Sequence, residues 1–406
     1  METGAGAVDR ESRSPRAGTR ASVLRRHNLG AVLEHLHLDG SASRSQLALA
    51  TGLNRSTVGD LVHELAGRGL VSEHGVSASA GPGRPSPIVH LQSDGAVALA
   101  VELGVESVAA AVIGLGGAVL DQRRVELPGS TVSPEAAVGL VVELAAALVD
   151  PADSRLAGVG VAVPGLTRRS DGFVHVAPNL GWRGVGLGAM LADAIGLPAA
   201  SVRVGNEADL GALGEHRRGA GRGYDHVVFV SGEVGIGAGL IIGGRPMLGA
   251  SGYAGEAGHM VVNPDGSQCR CGARGCWETE VGEAALLRSA GVHDLRGGAA
   301  VLEVLARADA GDTVAVAAVT EIGHWLGVGV SNLANLLDPE VVVLGGIFQP
   351  LFPFLQESML AAVRARSIAE VPEPVLVLPS ALGTSAQLHG AAEVVLGSML
   401  ADLTRG

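Results

Sequence analysis

The sequence predicts an α/β protein carrying a small helical head. Three observations lead there. Residues 23–91 read as short capped helices followed by a hairpin. From Ser93 onward, β-rich runs alternate with helical segments. All three cysteines of the 406-residue chain fall at 269–276, and a histidine stands ten positions ahead of the first.

Residues 1–22 hold Gly, Ser, Ala and Arg with little apolar content, the composition of a disordered tail. Over 23–38 the apolar residues Leu29, Val32, Leu33 and Leu36 recur at helical spacing, and Asp39-Gly40 ends that helix. Ser43 and Gln46 form a capping box ahead of a short helix at 46–50. Thr51-Gly52-Leu53 is the turn. Asn54 caps a further helix at 55–66, whose buried face is Val58, Leu61, Val62 and Leu65, with Gly67 and Gly69 as its stop. Two short helices joined by a glycine turn have the spacing of a helix-turn-helix. The second opens with Asn54, Arg55, Ser56 and Thr57, side chains suited to base edges and phosphates at a helix N-terminus. Ser43 and Arg44 join them as DNA-facing candidates. Residues 70–73 and 88–91 read as the two strands of a wing, and Gly83-Arg84-Pro85 between them offers Arg84 to a minor groove. A helical bundle serving only dimerisation is the alternative.

In the body, 96–102 and 108–113 read as a hairpin turning at 114–117. A helix follows at 134–149, then a strand at 158–163. Residues 177–182 are a loop. A strand at 202–204 leads through Gly205-Asn206-Glu207-Ala208-Asp209 into a helix reaching 215. Strands at 227–230 and 237–242, helices over 279–337, a buried strand at 341–344 and a last helix at 384–400 complete the pattern.

The densest chemistry lies at 254–278. It runs Gly255-Glu256-Ala257-Gly258-His259, then Cys269-Arg270-Cys271-Gly272-Ala273-Arg274-Gly275-Cys276-Trp277-Glu278. His259, Cys269, Cys271 and Cys276 make a complete tetrahedral set for Zn2+ with no position left for water, so the metal is read as structural. Gly272 and Gly275 suit the tight loop around an ion. A disulfide plus one spare thiol is the alternative.

This stretch resembles the signature of the ROK family (repressors, uncharacterised frames and sugar kinases), and the resemblance extends over most of 22–400. It implies a two-lobed actin-like or hexokinase-like fold behind the winged helix-turn-helix. The expected divisions are a tail at 1–22, a DNA-binding domain at 23–92, a first lobe at 93–212 and a second lobe with the zinc loop at 213–406. The resemblance also implies a sugar-binding set: Asn179, Asn206, Glu207, Glu256, His259 and Glu278. An amide and carboxylates suit hydroxyl groups.

Family members that phosphorylate sugars need a catalytic Asp and two glycine loops for nucleotide phosphates. At the base position this chain has Glu207, one methylene longer, a displacement that can cost about a hundredfold in rate. The first phosphate loop of kinases, Asp-x-Gly-Gly-Thr, is here Glu102-Leu103-Gly104-Val105-Glu106. The second, Gly-Thr-Gly-x-Gly, is here Glu233-Val234-Gly235-Ile236-Gly237. Carboxylates at a polyanion site oppose binding. The expectation is therefore a sugar-responsive repressor without kinase activity, acting on a double-stranded, near-palindromic operator as a homodimer or homotetramer. An ATP-dependent sugar kinase with an attached DNA-binding domain is the alternative. A zinc hydrolase would need an open metal position. For a phosphosugar effector, Arg183 is the basic candidate.

Bulk numbers fit. Residues 1–90 hold ten Arg against eight Asp plus Glu, or +2, within a total of −12, leaving −14 for the rest. A basic head on an acidic body suits DNA binding confined to the head. Mean hydropathy is +0.34, yet charges interrupt every apolar run before about eighteen residues. No signal-peptide core follows the N-terminal arginines. The expectation is a cytoplasmic protein with no membrane partner.

Overall fold

The computed structural model describes residues 17–76, 87–127, 132–366, 368 and 375–405. The chain divides into two compact units, one ending at Gln92 and joined by 397–405, the other spanning Ser93–Leu396.

The first unit contains α1 (Ala17–Asp39), β1 (Ala42–Ser43), α2 (Arg44–Thr51), α3 (Arg55–Gly67), β2 (Val71–Val76) and β3 (Pro87–Leu91). The Ser43 capping box forms as expected, with Ser43 N–H donating to Gln46 Oε1 at 2.8 Å. Asn54 caps α3 by accepting the Thr57 N–H at 2.8 Å. Gly52 takes the left-handed conformation, φ 69°, that the turn between the helices demands. Leu29, Val32, Leu33, Leu36, Val58, Leu61, Val62 and Leu65 are all buried. Each large side chain so buried contributes about 1.5–3 kcal/mol relative to exposure. The strands β2 and β3 pair antiparallel, and β1 adds to the far edge of β3, giving the wing. Two expectations shift. The first helix starts at Ala17, so 17–22 belong to it rather than to a tail; Ala and Arg in 17–22 are good helix formers. Residues 1–16 and Arg84 lie outside the described residues.

The second unit opens with β4 (Val97–Leu103), β5 (Ser107–Gly114), β6 (Val119–Glu126), α4 (Pro134–Leu148) and β7 (Leu156–Val163). A small antiparallel sheet follows: β8 (Leu166–Arg168), β9 (Phe173–Ala177) and β10 (Trp182–Val185). Then come α5 (Leu187–Ile195), β11 (Val202–Asn206) and α6 (Glu207–Arg218). The remainder is β12 (Val227–Gly232), β13 (Ile236–Ile242), β14 (Arg245–Pro246), α7 (Trp277–Val281), α8 (Glu283–Ala290), α9 (Gly297–Asp309), α10 (Thr313–Leu337), β15 (Val341–Gly346), α11 (Phe348–Arg366), β16 (Leu376–Pro379) and α12 (Ala386–Arg405).

Two five-stranded sheets carry this body, ordered β11-β7-β4-β5-β6 and β14-β13-β12-β15-β16. Each starts with an antiparallel three-strand meander and extends it by two parallel strands on the other side of the first. The same topology occurs twice, so the body is two lobes of one design, the actin-like plan. The doubly covered strands explain the unbroken apolar runs: every residue of β4 and β5 is buried. The second lobe's core gathers Trp277, Leu286, Leu326, Phe348, Leu355 and Met359. The helix α10 is long and apolar enough to cross a bilayer, yet Ile322, Leu326 and Val330 on it are buried in this core.

The boundary expected at 213 falls inside α6 (Glu207–Arg218). Asn206 ends β11, and α6 packs on β12 and β13 of the second sheet. Two glycines let α6 meet α12: a Cβ at Gly214 would lie 2.2 Å from Ala386 O, and one at Gly390 only 1.7 Å from Leu210 O.

A sugar-type cleft beside a Cys3His cluster

Between the two sheets lies a cleft of about 400 Å³. All six sequence-predicted sugar residues line it: Asn179, Asn206, Glu207, Glu256, His259 and Glu278. Local backbone chemistry brings them there. Gly255 has φ 93°, and a Cβ on it would lie 2.1 Å from Ala238 O. A Cβ on Gly258 would lie 2.3 Å from Ile236 O. Only glycines let the Gly-Glu-Ala-Gly-His turn press onto β13 and present Glu256 and His259 to the cleft. A Cβ at Gly235 would lie 2.9 Å from Glu278 Oε2 and 3.8 Å from Asn179 Nδ2, so loop 233–237 touches sugar residues contributed from both lobes.

Asn206 has a structural task as well. Its Oδ1 accepts the Ala208 and Asp209 N–H groups at 2.8 and 3.2 Å, capping α6, and its Nδ2 donates to Gly165 O at 2.9 Å. These bonds fix Glu207 at the first position of α6, facing the cleft.

The thiol cluster adjoins the same cleft. One atom each of His259, Cys269, Cys271 and Cys276 lies within 4.8 Å of all the others. Cys271 Sγ and Cys276 Sγ are 3.6 Å apart, and Cys269 Sγ is 3.7 Å from His259 Nδ1. Zinc–sulfur bonds near 2.3 Å in a tetrahedron put neighbouring ligands ~3.8 Å apart, so the donor set fits zinc. The supporting loop is tight. Cys269 N–H donates to Ala273 O at 2.8 Å, and Gly275 has φ 69° with its missing Cβ 1.5 Å from Asn263 O. Trp277, fully buried, anchors the loop to α10 by donating Nε1–H to Trp325 O at 3.0 Å. His259 ties the two sites: its Nδ1 faces Cys269, and its Nε2 lies 3.9 Å from Glu256 Oε2.

The other half of the cleft is crowded with carboxylates. Val105, Glu233 and Val234 line it, as the altered loops anticipate. Glu102 is buried and pairs with Arg124 at 3.0 Å; that guanidinium also donates to Ser107 Oγ at 2.6 Å and, more weakly, to Thr384 O at 3.4 Å in the other lobe. Burial, with Glu233 and Glu102 nearby, pushes the Glu207 carboxyl well up from its ordinary value. Burial and the Glu102 and Glu106 charges push Glu233 up to about 7. Asp209, buried on the same wall, is also raised to about 7 despite Arg169. Like charges sharing a desolvated site resist ionising together.

Sequence reasoning missed Asp209 and Tyr253 as lining residues, and it missed Arg270. Arg270 stands between two cysteines of the motif, a position that could have marked it. Arg183 lies exposed on β10 and is not among the lining residues.

In the first unit, Asn54, Arg55 and Ser56 are exposed at the start of α3, and Thr57 is partly so. Ser43 and Arg44 also have partners within this unit. Ser43 is 5% exposed and its hydroxyl accepts the Gln46 N–H. Arg44 is held by Glu73 of the wing through two hydrogen bonds. The cap and the ion pair tie α2 and the wing together.

A duplicated actin-like body with this glycine-histidine turn and Cys3His loop defines a class, and the chain belongs to the ROK family, whose sequence profile matches residues 98–398. It is similar along nearly its whole length to the xylose repressor of Bacillus subtilis strain 168, with 31% identity over 94% of this chain and 98% of that protein. It is 30% identical to a glucokinase of Streptomyces coelicolor over 73% of this chain and 96% of the enzyme. Among solved structures, a ROK family transcriptional regulator described as a homolog of the E. coli MLC protein matches at TM-score 0.75 and 25% identity, over 94% of this chain and 98% of that one. A ROK family glucokinase from Streptomyces griseus, in complex with glucose and AMPPNP, matches at TM-score 0.64 and 30% identity, over 73% and 98%.

Proposed function

We infer that the protein is a sugar-responsive DNA-binding transcriptional repressor whose body binds a sugar without phosphorylating it. The observation that carries this is the pairing of an exposed, capped α3 in a winged helix with a cleft lined by all six sugar-type residues. The similarity to repressors extends through the winged helix, whereas the similarity to glucokinases covers about three quarters of the chain.

Each part has a role. Asn54, Arg55, Ser56 and Thr57 meet an operator in duplex DNA; Arg55 is exposed and makes no hydrogen bond or ion pair among the described residues. Asn179, Glu256 and Glu278 hold sugar hydroxyls. His259, Cys269, Cys271 and Cys276 hold zinc, which supplies a rigid, closed support for Glu278 and His259. Kinase chemistry is opposed on the nucleotide side. Glu233 offers phosphates a carboxyl group instead of a cation, and Val105 and Val234 occupy positions where a phosphate approaches glycine and threonine in kinases. The sugar acts through its differential affinity for two arrangements of the protein. The protein works in the cytoplasm as a symmetric homo-oligomer on a near-palindromic site.

The test is fluorescence anisotropy on duplex DNA from upstream of the protein's own gene, at fixed salt, against a scrambled duplex. Preference for the upstream DNA, weakened by one neutral sugar, is the expected result. Equal binding to both duplexes contradicts the operator reading.

A further inference from the structure

A row of rings ends at the cleft. The Arg168 guanidinium lies over the Phe173 ring, 4.9 Å from its centroid. Phe173 meets His175 edge-on at 5.1 Å and 73°. His175 in turn meets Tyr253 at 5.9 Å and 85°. Arg168, Phe173 and His175 belong to β8 and β9 of the first lobe. Tyr253 sits in the segment between β14 and the Gly-Glu-Ala-Gly-His turn, in the second lobe. The last contact therefore joins one lobe to the other.

Tyr253 lines the cleft and is 38% exposed. The chain has only two tyrosines, and aromatic residues make up 2% of it. The fully buried aromatic rings of the body, Trp277, Phe229 and Phe348, sit in its cores, whereas Tyr253 belongs to none of those clusters, so this half-exposed ring at the cleft is not core filling. The segment around it is built to turn: Gly249, Gly252 and Gly255 have φ 72°, 81° and 93°. Gly255 is wedged against β13, whereas a Cβ at Gly252 would find its nearest neighbour, Thr167 O, 3.8 Å away. The segment is thus pinned at one end and loosely packed near Tyr253.

A sugar ring carries hydroxyls around its rim and C–H groups on its faces. The amide and carboxylates of the cleft answer the rim. The C–H face needs a flat apolar partner, and Tyr253 is the one phenyl-type ring among the lining residues. We propose that Tyr253 contacts the effector, covering the C–H face of a neutral sugar, and that His175 is the positioning residue that holds the ring there from the opposite lobe. This rests on the sugar-binding reading above. Engagement of Tyr253 by the sugar and by His175 together makes occupancy of the cleft a contact between lobes.

Calorimetric titration of the purified full-length protein with D-xylose and with D-glucose tests this. Tyr253→Ala weakens binding of the recognised sugar about tenfold, and Tyr253→Phe stays within about twofold, since the ring is kept. His175→Ala costs about threefold, and His175→Phe restores affinity. Thermal unfolding midpoints of all four variants stay near that of the unsubstituted protein. Unchanged affinity in Tyr253→Ala overturns the proposal while leaving sugar binding intact. So does an equal loss in Tyr253→Phe, which would assign the effect to the hydroxyl. If the unsubstituted protein binds neither sugar, the proposal falls together with the sugar-binding reading it rests on.

Discussion

Replacing Glu233 by Gln stabilises the protein at pH 8 and does nothing at pH 4.5 or below. In the folded state burial, reinforced by Glu102, Glu106 and Glu283 and opposed by Arg124, pushes this carboxyl up to about 7. Unfolded, it titrates near 4.5. Between those values the folded state binds more protons than the unfolded one. Stability linked to Glu233 is therefore complete below about 4.5 and is lost as pH rises through about 7. The difference between about 7 folded and about 4.5 unfolded, at about 1.36 kcal/mol per pH unit, corresponds to about 3 kcal/mol at pH 8. Glutamine never ionises and is spared that loss. For a body of some 300 residues, about 2.1 cal/mol/K of unfolding entropy per residue converts 3 kcal/mol to roughly 5 °C. Differential scanning at pH 4.5 and pH 8 measures both ends. A Gln variant no more stable than the parent at pH 8 refutes the picture of a desolvated carboxylate cluster on the nucleotide side.

Other perturbations have equally definite outcomes. Cys276→Ser removes one of four ligands, so metal content by native mass spectrometry falls from one zinc per chain to well below one, and the 259–277 segment becomes protease-sensitive. Gly390→Ala drives a methyl into the Leu210 carbonyl, 1.7 Å away, and lowers the unfolding midpoint by several degrees, whereas Gly397→Ala, with open space around it, leaves the midpoint unchanged. Asn54→Ala removes the α3 cap and costs about 1 kcal/mol of stability in the winged helix. Arg55→Ala leaves stability unchanged, lowers affinity for operator DNA and flattens its salt dependence if Arg55 meets a phosphate.

Much of this architecture was legible because local rules and global fold agree. The Ser43 and Asn54 caps, the Gly52 turn and the buried face of α3 all depend on neighbours within four residues. The Cys3His loop was legible for the same reason, since Gly272 and Gly275 announce the turn that gathers the thiols. What escaped depends on distance along the chain. The strand β6 reads as polar because all eight residues are exposed, so only its pairing with β5 reveals it. The identical order of the two sheets is a property of pairing, not of sequence period. Arg44 meets Glu73, 29 residues away, a contact that no local pattern shows. Tyr253 and His175 lie 78 positions apart and meet only because the two lobes face each other.

On the function proposed above, a sugar in the cleft governs DNA binding without being phosphorylated. Anisotropy on the operator duplex, with sugar titrated in the presence and absence of ATP and magnesium and ADP formation followed in the same cuvette, tests it most directly. The expected result is that one neutral sugar releases the DNA at the same concentration with or without ATP, and that no ADP forms beyond the sugar-free background. Sugar-dependent ADP formation, or release that requires ATP, contradicts it.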